Sequence, residues 1–357
     1  MYNTNKHYFS NSLLQWYDSY RRDLPWRKTN DLYKIWISEV MLQQTRVNTV
    51  IPYYLRWVEK YDSIKTVAKA DELKLLKLWE GLGYYSRCRN FHKSCKIIVN
   101  DYDGEFPSDY QKFLLLPGVG DYTASAVFSI GLKQAYAAID GNVRRVMARV
   151  LGIKNITKRN KNRIHSTLIK WMDRERPGDI NQALMDLATK ICRVDHAKCS
   201  SCPIDEICMA SKMSIPESYP ARIKRKEIPH KEIVAGIIWH RQKFLITKRK
   251  ENALLGGLWE FPSAEIVSSE TPIGALRRQI KEKWDMDIII KKKVGYVKHA
   301  YSHLKITLTL YRCQSQESVK CMNNQYRWIT PTEIKNFPFP KSNHKLFKVL
   351  NSNGWNV

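Results

Sequence analysis

The chain has 357 residues, more than one hydrophobic core usually supports, and 43% of them are hydrophobic, so two packed domains are expected. A net charge of +26 exceeds what solubility requires and implies a polyanionic partner, with nucleic acid as the first candidate. No apolar run reaches transmembrane length and the opening MYNTNKHYFSNSLLQW lacks the apolar core of a signal peptide, so no membrane association is expected and a cytoplasmic location is.

Up to residue 214 the pattern is helical. Segments such as KIWISEVMLQQTRVNTVIPYYLRWVEKY, DELKLLKLWEGLG and INQALMDLATKIC repeat apolar residues at three- and four-residue spacing. Glu39 is read at the start of a helix, SEVMLQQTRV, beside Trp36, Val40 and Met41. Apolar neighbours there would desolvate its carboxyl, raise its pKa and let it act as an acid near neutral pH, although an exposed first-turn glutamate has the same signature. The run YQKFLLLPGVGDYTASAVFSI reads as a helix, a hairpin at 117–120 and a second helix beginning near Tyr122. Gly118 and Gly120, with Val119 between them, let the backbone turn tightly, and the amides of the second helix make an anion site; a plain helix corner would look alike. Asp140, in AAIDGNVRRVMARV, precedes a helix whose amides favour a carboxylate, either as a simple cap or as an anion facing a cationic transition state.

Cys192, Cys199, Cys202 and Cys208 follow a helix ending at LATKIC, with gaps of six, two and five residues. Structural zinc usually takes two short-spaced pairs, and only Cys199 and Cys202 form one, so a 4Fe-4S cluster fits better than zinc or unliganded thiols. Cys88, Cys95, Cys313 and Cys321 are scattered and read as small buried or half-buried thiols. Arg193 and Lys198 beside the cluster suit phosphate contact or plain solvation.

Residues 215–229, rich in proline and charge without a period, read as a linker between a helical domain at 1–214 and a second domain at 230–357. Beyond it, EIVAGIIWH, KFLITKR, DIIIKKKVGYVKHAY and KITLTLYRC are β-rich and GALRRQIKEKW is helix-like, which predicts a smaller α/β domain. The two domains carry about +14 and +12, so both are expected to face the same polyanion.

LPWR at 24–27, SEVMLQQT at 38–45, GLGYYSRCRN at 81–90, LPGVG at 116–120, IDGN at 139–142 and the cysteine set occur in the order and spacing of one family. The chain resembles the MutY-type adenine DNA glycosylases, of the helix-hairpin-helix iron-sulfur class. The resemblance implies a multi-domain protein: an all-α helix-hairpin-helix glycosylase domain with one 4Fe-4S cluster on the four cysteines, structural and close to DNA, plus an α/β Nudix-like C-terminal domain. It implies that Glu39 protonates adenine at N7 and later helps activate water, that Asp140 stabilises the sugar cation, and that Tyr122 and Asn142 support them. Arg27 corresponds to an arginine near the adenine. Gln44 and Tyr84 correspond to residues wedged into the duplex beside 8-oxoguanine, with Leu42, Gln43 and Thr45 nearby. An intercalating aromatic makes physical sense, since a flipped base leaves a stacking gap.

Endonuclease III relatives carry a nucleophilic lysine where this chain has Tyr122, so the resemblance implies monofunctional base removal by water, leaving an abasic site with little or no lyase step. The run KFLITKRKENALLGGLWEFPSAE resembles the Nudix-like domain that this family uses to recognise 8-oxoguanine. Ser302 and His303 would hydrogen-bond the lesion and Tyr301, where the family has phenylalanine, would pack beside it. In RRQIKEKWDM only Glu282 remains of the Nudix magnesium-binding glutamates, with Gln279 and Lys283 at the other acidic positions, which argues against a nucleotide pyrophosphatase. The implied partner is double-stranded DNA holding A·8-oxoguanine or, less well, A·G mispairs, bound by a monomer. The alternatives are a glycosylase for another damaged or mismatched base, and a non-catalytic DNA-damage binding protein.

Overall fold

The computed structural model describes residues 2–222, 227–251, 253–267, 269–316, 325–352 and 354, with the backbone alone for 2–4; Cys321 and linker residues 223–226 lie outside the described residues. Its helices are α1 (Tyr2–Tyr20), α2 (Leu32–Leu42), α3 (Val47–Lys60), α4 (Ile64–Lys69), α5 (Glu72–Trp79), α6 (Ser86–Asp101) and α7 (Tyr110–Leu114). They continue with α8 (Asp121–Gly131), α9 (Gly141–Val150), α10 (Lys158–Trp171), α11 (Pro177–Lys190), α12 (Met209–Lys212), α13 (Pro272–Trp284) and α14 (Lys341–Ser352). The strands are β1 (His230–His240), β2 (Lys243–Lys248), β3 (Trp259–Glu260), β4 (Ser263–Glu265), β5 (Ile289–Ala300), β6 (Lys305–Gln314) and β7 (Tyr326–Ile329). Side-chain caps start many of the helices: Asp31 accepts from the amides of Tyr33 and Lys34, Asp71 from Lys74, Asp109 from Lys112, Asp140 from Val143 and Thr157 from Asn160. Each such cap contributes roughly 1 kcal/mol.

The chain divides into two units, Met1–Lys69 with Asn90–Lys224, and Ala70–Arg89 with Arg225–Val357. In the first, α1, α9, α10 and α11 enclose Phe9, Leu13, Val143, Met147, Leu168, Leu184 and Leu187. A second packing centre is aromatic: Trp36 of α2 meets Phe91 of α6 at 4.4 Å between ring centroids and Phe113 of α7 at 5.3 Å, and Phe113 meets Phe128 of α8 at 5.6 Å. Gly178 permits a close crossing, since a Cβ there would lie 2.6 Å from the Ile130 Cα of α8.

The second unit is built on a mixed sheet ordered β3-β2-β1-β6-β5, with β4 beside β1 and β7 beside β2; β1 and β6 run parallel. Strand alternation sends residues to both faces. Val234, Ile238 and Leu245 pack under Ala275, Leu276 and Ile280 of α13, while Ala235, Ile237, Phe244 and Ile246 pack under Leu346, Phe347 and Leu350 of α14.

The segment 70–89 groups with this unit and not with the surrounding helices, unlike the contiguous 1–214 of the sequence reading. Side-chain packing is the reason: Leu73 packs against the α14 face of the sheet and Glu80 bonds to residues at the start of α14. Part of the expected linker is likewise tied to the helical unit, where the Ala221 amide donates to the Lys154 carbonyl and Tyr219 packs on the core.

Candidate active site

Asp31 caps α2, and residues 35–41 that follow are buried on every side of the helix. Glu39 therefore lies in the C-terminal half of α2 and is 4% exposed, a correction to the helix start expected from the sequence. Its carboxyl is desolvated by the packed residues around it all the same. Tyr122, in the first turn of α8, donates to Glu39 Oε2 at 3.0 Å and touches Met185 Sδ of α11 at 3.8 Å. Burial is the strongest influence on Glu39 and pushes its pKa up to about 7; the Tyr122 hydroxyl and the Arg27 charge pull it down, and Asp140 pushes it up. Burial, reinforced by Glu39 and Asp140, raises the Tyr122 hydroxyl well above its ordinary value, so it remains a donor.

Asp140 is the N-cap of α9. Its Oδ1 accepts from the Val143 amide at 2.7 Å and its Oδ2 from Asn142 Nδ2 at 2.9 Å. Arg145 donates to Asn142 Oδ1 at 3.1 Å, to the Cys192 carbonyl at 3.1 Å and to the Ala188 carbonyl at 2.9 Å. Asn181, fully buried on α11, fixes the chain that leads into Asp140: its Oδ1 accepts from the Ala138 amide and its Nδ2 donates to the Tyr136 carbonyl and Ser129 Oγ.

Arg27 follows Pro25 and Trp26 in a short 3-10 turn, and both of its terminal nitrogens donate to Asp186, at 2.8 and 3.0 Å. Arg22 grips the same carboxylate. Burial pushes the Asp186 pKa up, but the hydrogen bonds and charges of Arg27 and Arg22 hold it below the usual value. The buried Arg27 Nε has no hydrogen-bond partner among the described residues. The structure thus brings Glu39, Tyr122, Asp140, Asn142 and Arg27 together. Sequence reasoning missed Asp186 and Asn181, although a carboxylate amid the apolar residues of INQALMDLATKIC was a usable signal, because a buried charge needs a partner.

The expected hairpin is present. Gly118 has φ +79°, and a Cβ on it would lie 2.8 Å from Asn90 Cβ. Gly120 caps α8, which starts at Asp121, one residue before the expected position. Both glycines are exposed and Val119 is half-buried. At the end of α2, Gln43 Nε2 donates to Thr123 Oγ1 at 3.1 Å, and Thr45 closes a turn on the Leu42 carbonyl. Leu42 is half-buried, and Gln44 is exposed at φ +57°.

Cys192, Cys199, Cys202 and Cys208 are unpaired and line one cavity. Among the described residues no three His, Cys, Asp or Glu side chains close on a point as one metal ion requires; the four thiols stand around a space instead. A donor set of four thiols about a cavity fits a 4Fe-4S cluster. Arg149, 2% exposed, donates to Cys192 Sγ at 3.3 Å and to the carbonyls of Arg193, Val194 and Tyr219. Arg193 and Lys198 are exposed.

In the second unit, Tyr84 (φ +48°) ends the turn that follows α5, and its hydroxyl bonds Ser302 Oγ. Arg87 supports the turn from below, donating to the Gly83 carbonyl at 3.0 Å and stacking on the rings of Trp79 and Tyr84. The turn, Leu254–Gly256 and Tyr301–His303 line one cavity of about 600 Å³. Ser302 and His303 are exposed, whereas Tyr301 is half-buried with its hydroxyl 3.0 Å from Ser342 Oγ of α14, a contact that phenylalanine would not make. On α13, Glu282 is exposed and pairs with Arg278, while Lys283 donates to Thr247 Oγ1.

Residues 37–171 match the HhH-GPD superfamily of base excision DNA repair proteins and residues 234–349 match the NUDIX domain. The adenine DNA glycosylase of Homo sapiens is 31% identical, over 96% of this chain and 73% of its own length. That of Buchnera aphidicola is 37% identical, over 72% of this chain and 74% of its own. A solved thermostable thymine-DNA glycosylase is 28% identical with a TM-score of 0.56, covering 59% of this chain and 98% of that one. Among the described residues no helix is long and apolar enough to cross a membrane.

Proposed function

The chain belongs to the adenine DNA glycosylase family, and from that premise we propose that it excises adenine paired with 8-oxoguanine, and less efficiently with guanine, from duplex DNA without cutting the strand. The observation that carries this reading is Glu39: a buried carboxyl with a pKa near 7, hydrogen-bonded by Tyr122 and within the field of Asp140. Such an acid is protonated often enough near neutrality to give its proton to N7 of a flipped adenine. The bond to the sugar then breaks, its electron pair leaves with the base, and the cation at C1′ faces the carboxylate of Asp140. Asp140 is oriented for this by the Val143 amide and Asn142. Water adds to C1′, its proton passes to the Glu39 carboxylate, and an abasic site remains. Tyr122 stands where lyase relatives have a lysine, and its hydroxyl is committed to Glu39, which supports a monofunctional reaction.

Arg27, held by Asp186, borders the base pocket. Leu42, Gln43, Gln44 and Thr45 meet the duplex beside the mispair, and Gly118, Val119 and Gly120 seat a phosphate. Tyr84, Tyr301, Ser302 and His303 read 8-oxoguanine, supported by the hydrogen bond between Tyr84 and Ser302. Cys192, Cys199, Cys202 and Cys208 would hold a 4Fe-4S cluster, which supplies structural cross-linking of the loop when bound.

The test is incubation of purified protein with A·8-oxoguanine, A·G and A·T duplexes. Strand breaks should appear only after hot alkali, fastest with A·8-oxoguanine and not with A·T. Breaks before alkali would refute the monofunctional reading, and equal rates on all three duplexes would refute the specificity.

A further inference from the structure

We propose that Glu80 is a positioning residue that holds the tyrosine turn against the Tyr301–His303 loop and thereby sets the preference for 8-oxoguanine over guanine; this rests on the recognition role proposed for Tyr84 and Ser302. Glu80 ends α5 and begins the turn 81–84. In WEGLGYY it is a charge among apolar and aromatic residues, and its side chain is only 15% exposed. Three donors converge on it: the Phe339 amide at 2.7 Å and His344 Nε2 at 2.8 Å on Oε1, and Lys77 Nζ at 2.7 Å on Oε2. Lys77 also donates to the Phe337 carbonyl at 3.0 Å. The turn is thereby bound to the segment that leads into α14 and to α14 itself.

The loop is bound to the same helix. Tyr301 meets Ser342 through their hydroxyls at 3.0 Å, and Lys345 donates to the Lys298 carbonyl of β5, the strand that feeds the loop, at 2.8 Å. Helix α14 is therefore a common support: Glu80 seats the turn on it, Tyr301 seats the loop on it, and the contact between Tyr84 and Ser302 closes the circuit. Removing Glu80 leaves the amide of buried Phe339 without its acceptor and releases Lys77 and His344 from the carboxylate, which frees the turn on one side of that circuit while the loop stays in place. A misplacement near 1 Å is enough to degrade recognition that depends on hydrogen-bond geometry.

Single-turnover adenine excision from A·8-oxoguanine and A·G duplexes by the full chain measures the preference as a ratio of rates. Glu80→Ala should lower the ratio by about tenfold, mostly through the A·8-oxoguanine duplex, because a charged acceptor shared by several donors is lost. Glu80→Gln keeps the shape and an acceptor oxygen and should restore much of the ratio. His344→Ala removes one donor and leaves the carboxylate, so it should shift the ratio the same way by less, and it keeps the proposal testable should Glu80→Ala fail to fold. An unchanged ratio in Glu80→Ala, with a lowered ratio in Ser302→Ala, would overturn the role of Glu80 and leave the recognition reading standing. Unchanged ratios in both would overturn both, and equal slowing of the two duplexes would reduce Glu80 to a general structural part.

Discussion

Glu39 and Asp140 are two carboxyl groups in one helical unit with opposite surroundings. Glu39 sits within the fully buried part of α2 and accepts a hydrogen bond from Tyr122, but burial dominates and its pKa rises to about 7. Asp140 stands at the entrance of α9, where the Val143 amide and the Asn142 side-chain amide both donate to it. The difference teaches that placement on a helix, rather than residue type, decides whether a carboxyl group is desolvated or hydrogen-bonded at a helix entrance, and the proposed roles of acid and anion rest on it.

The most severe way to break the contrast is Glu39→Gln, which keeps the shape and removes the proton. Excision should fall by about 10³-fold or more while duplex binding persists, measured by single-turnover kinetics beside a mobility shift. Asp140→Asn separates capping from charge, since asparagine caps as well as aspartate. The rate should drop by about 10²-fold with little change in melting temperature, whereas a large loss of stability would assign Asp140 to the fold.

The same contrast has a stability consequence. Between its unfolded pKa, near the ordinary 4.5, and its folded value of about 7, Glu39 holds a proton in the native state that the unfolded chain has released. Its burial is therefore tolerated below that window and costs increasing stability as pH climbs through it, approaching roughly 3 kcal/mol above pH 7. Urea denaturation should find Glu39→Gln more stable than the parent at pH 8 and nearly equal to it at pH 4.

Smaller effects sharpen the picture. The rate should decline as pH rises through about 7, as the Glu39 proton is lost. Tyr122→Phe removes the hydrogen bond that lowers the Glu39 pKa, so that decline should move to higher pH; a shift to lower pH would contradict the assignment. Asn142→Ala deletes one of the donors to Asp140 and should slow excision by about tenfold or less, through kcat rather than KM.

Much of this arrangement was legible in one dimension. The hairpin needed glycine at 118, and φ +79° with Asn90 pressed against it is the reason no side chain fits there. Asp140 before GNVRR was readable as a cap because capping is a local interaction, and the four cysteines were readable because they lie within one short loop. Glu39 was readable as a carboxyl that apolar neighbours would desolvate or as an exposed first-turn glutamate; packing buries it, at the other end of its helix, since the cap that starts α2 is Asp31, eight residues upstream. Asp186, Asn181 and Glu80 were not recognised, because each does its work on partners far away in sequence, from Arg27 to His344.

The sequence alone determined the elements and the local chemistry: helical period up to residue 214, strand alternation beyond it, the turn, the caps and the thiol set, all governed by interactions within a few residues. Only the tertiary structure decided which distant groups meet. It enclosed Glu39 with Tyr122, locked Arg27 on Asp186, and joined residues 70–89 to the sheet unit through Glu80. Burial and long-range hydrogen bonds are properties of packing, and packing is what gives three carboxyl groups of one sequence three different surroundings.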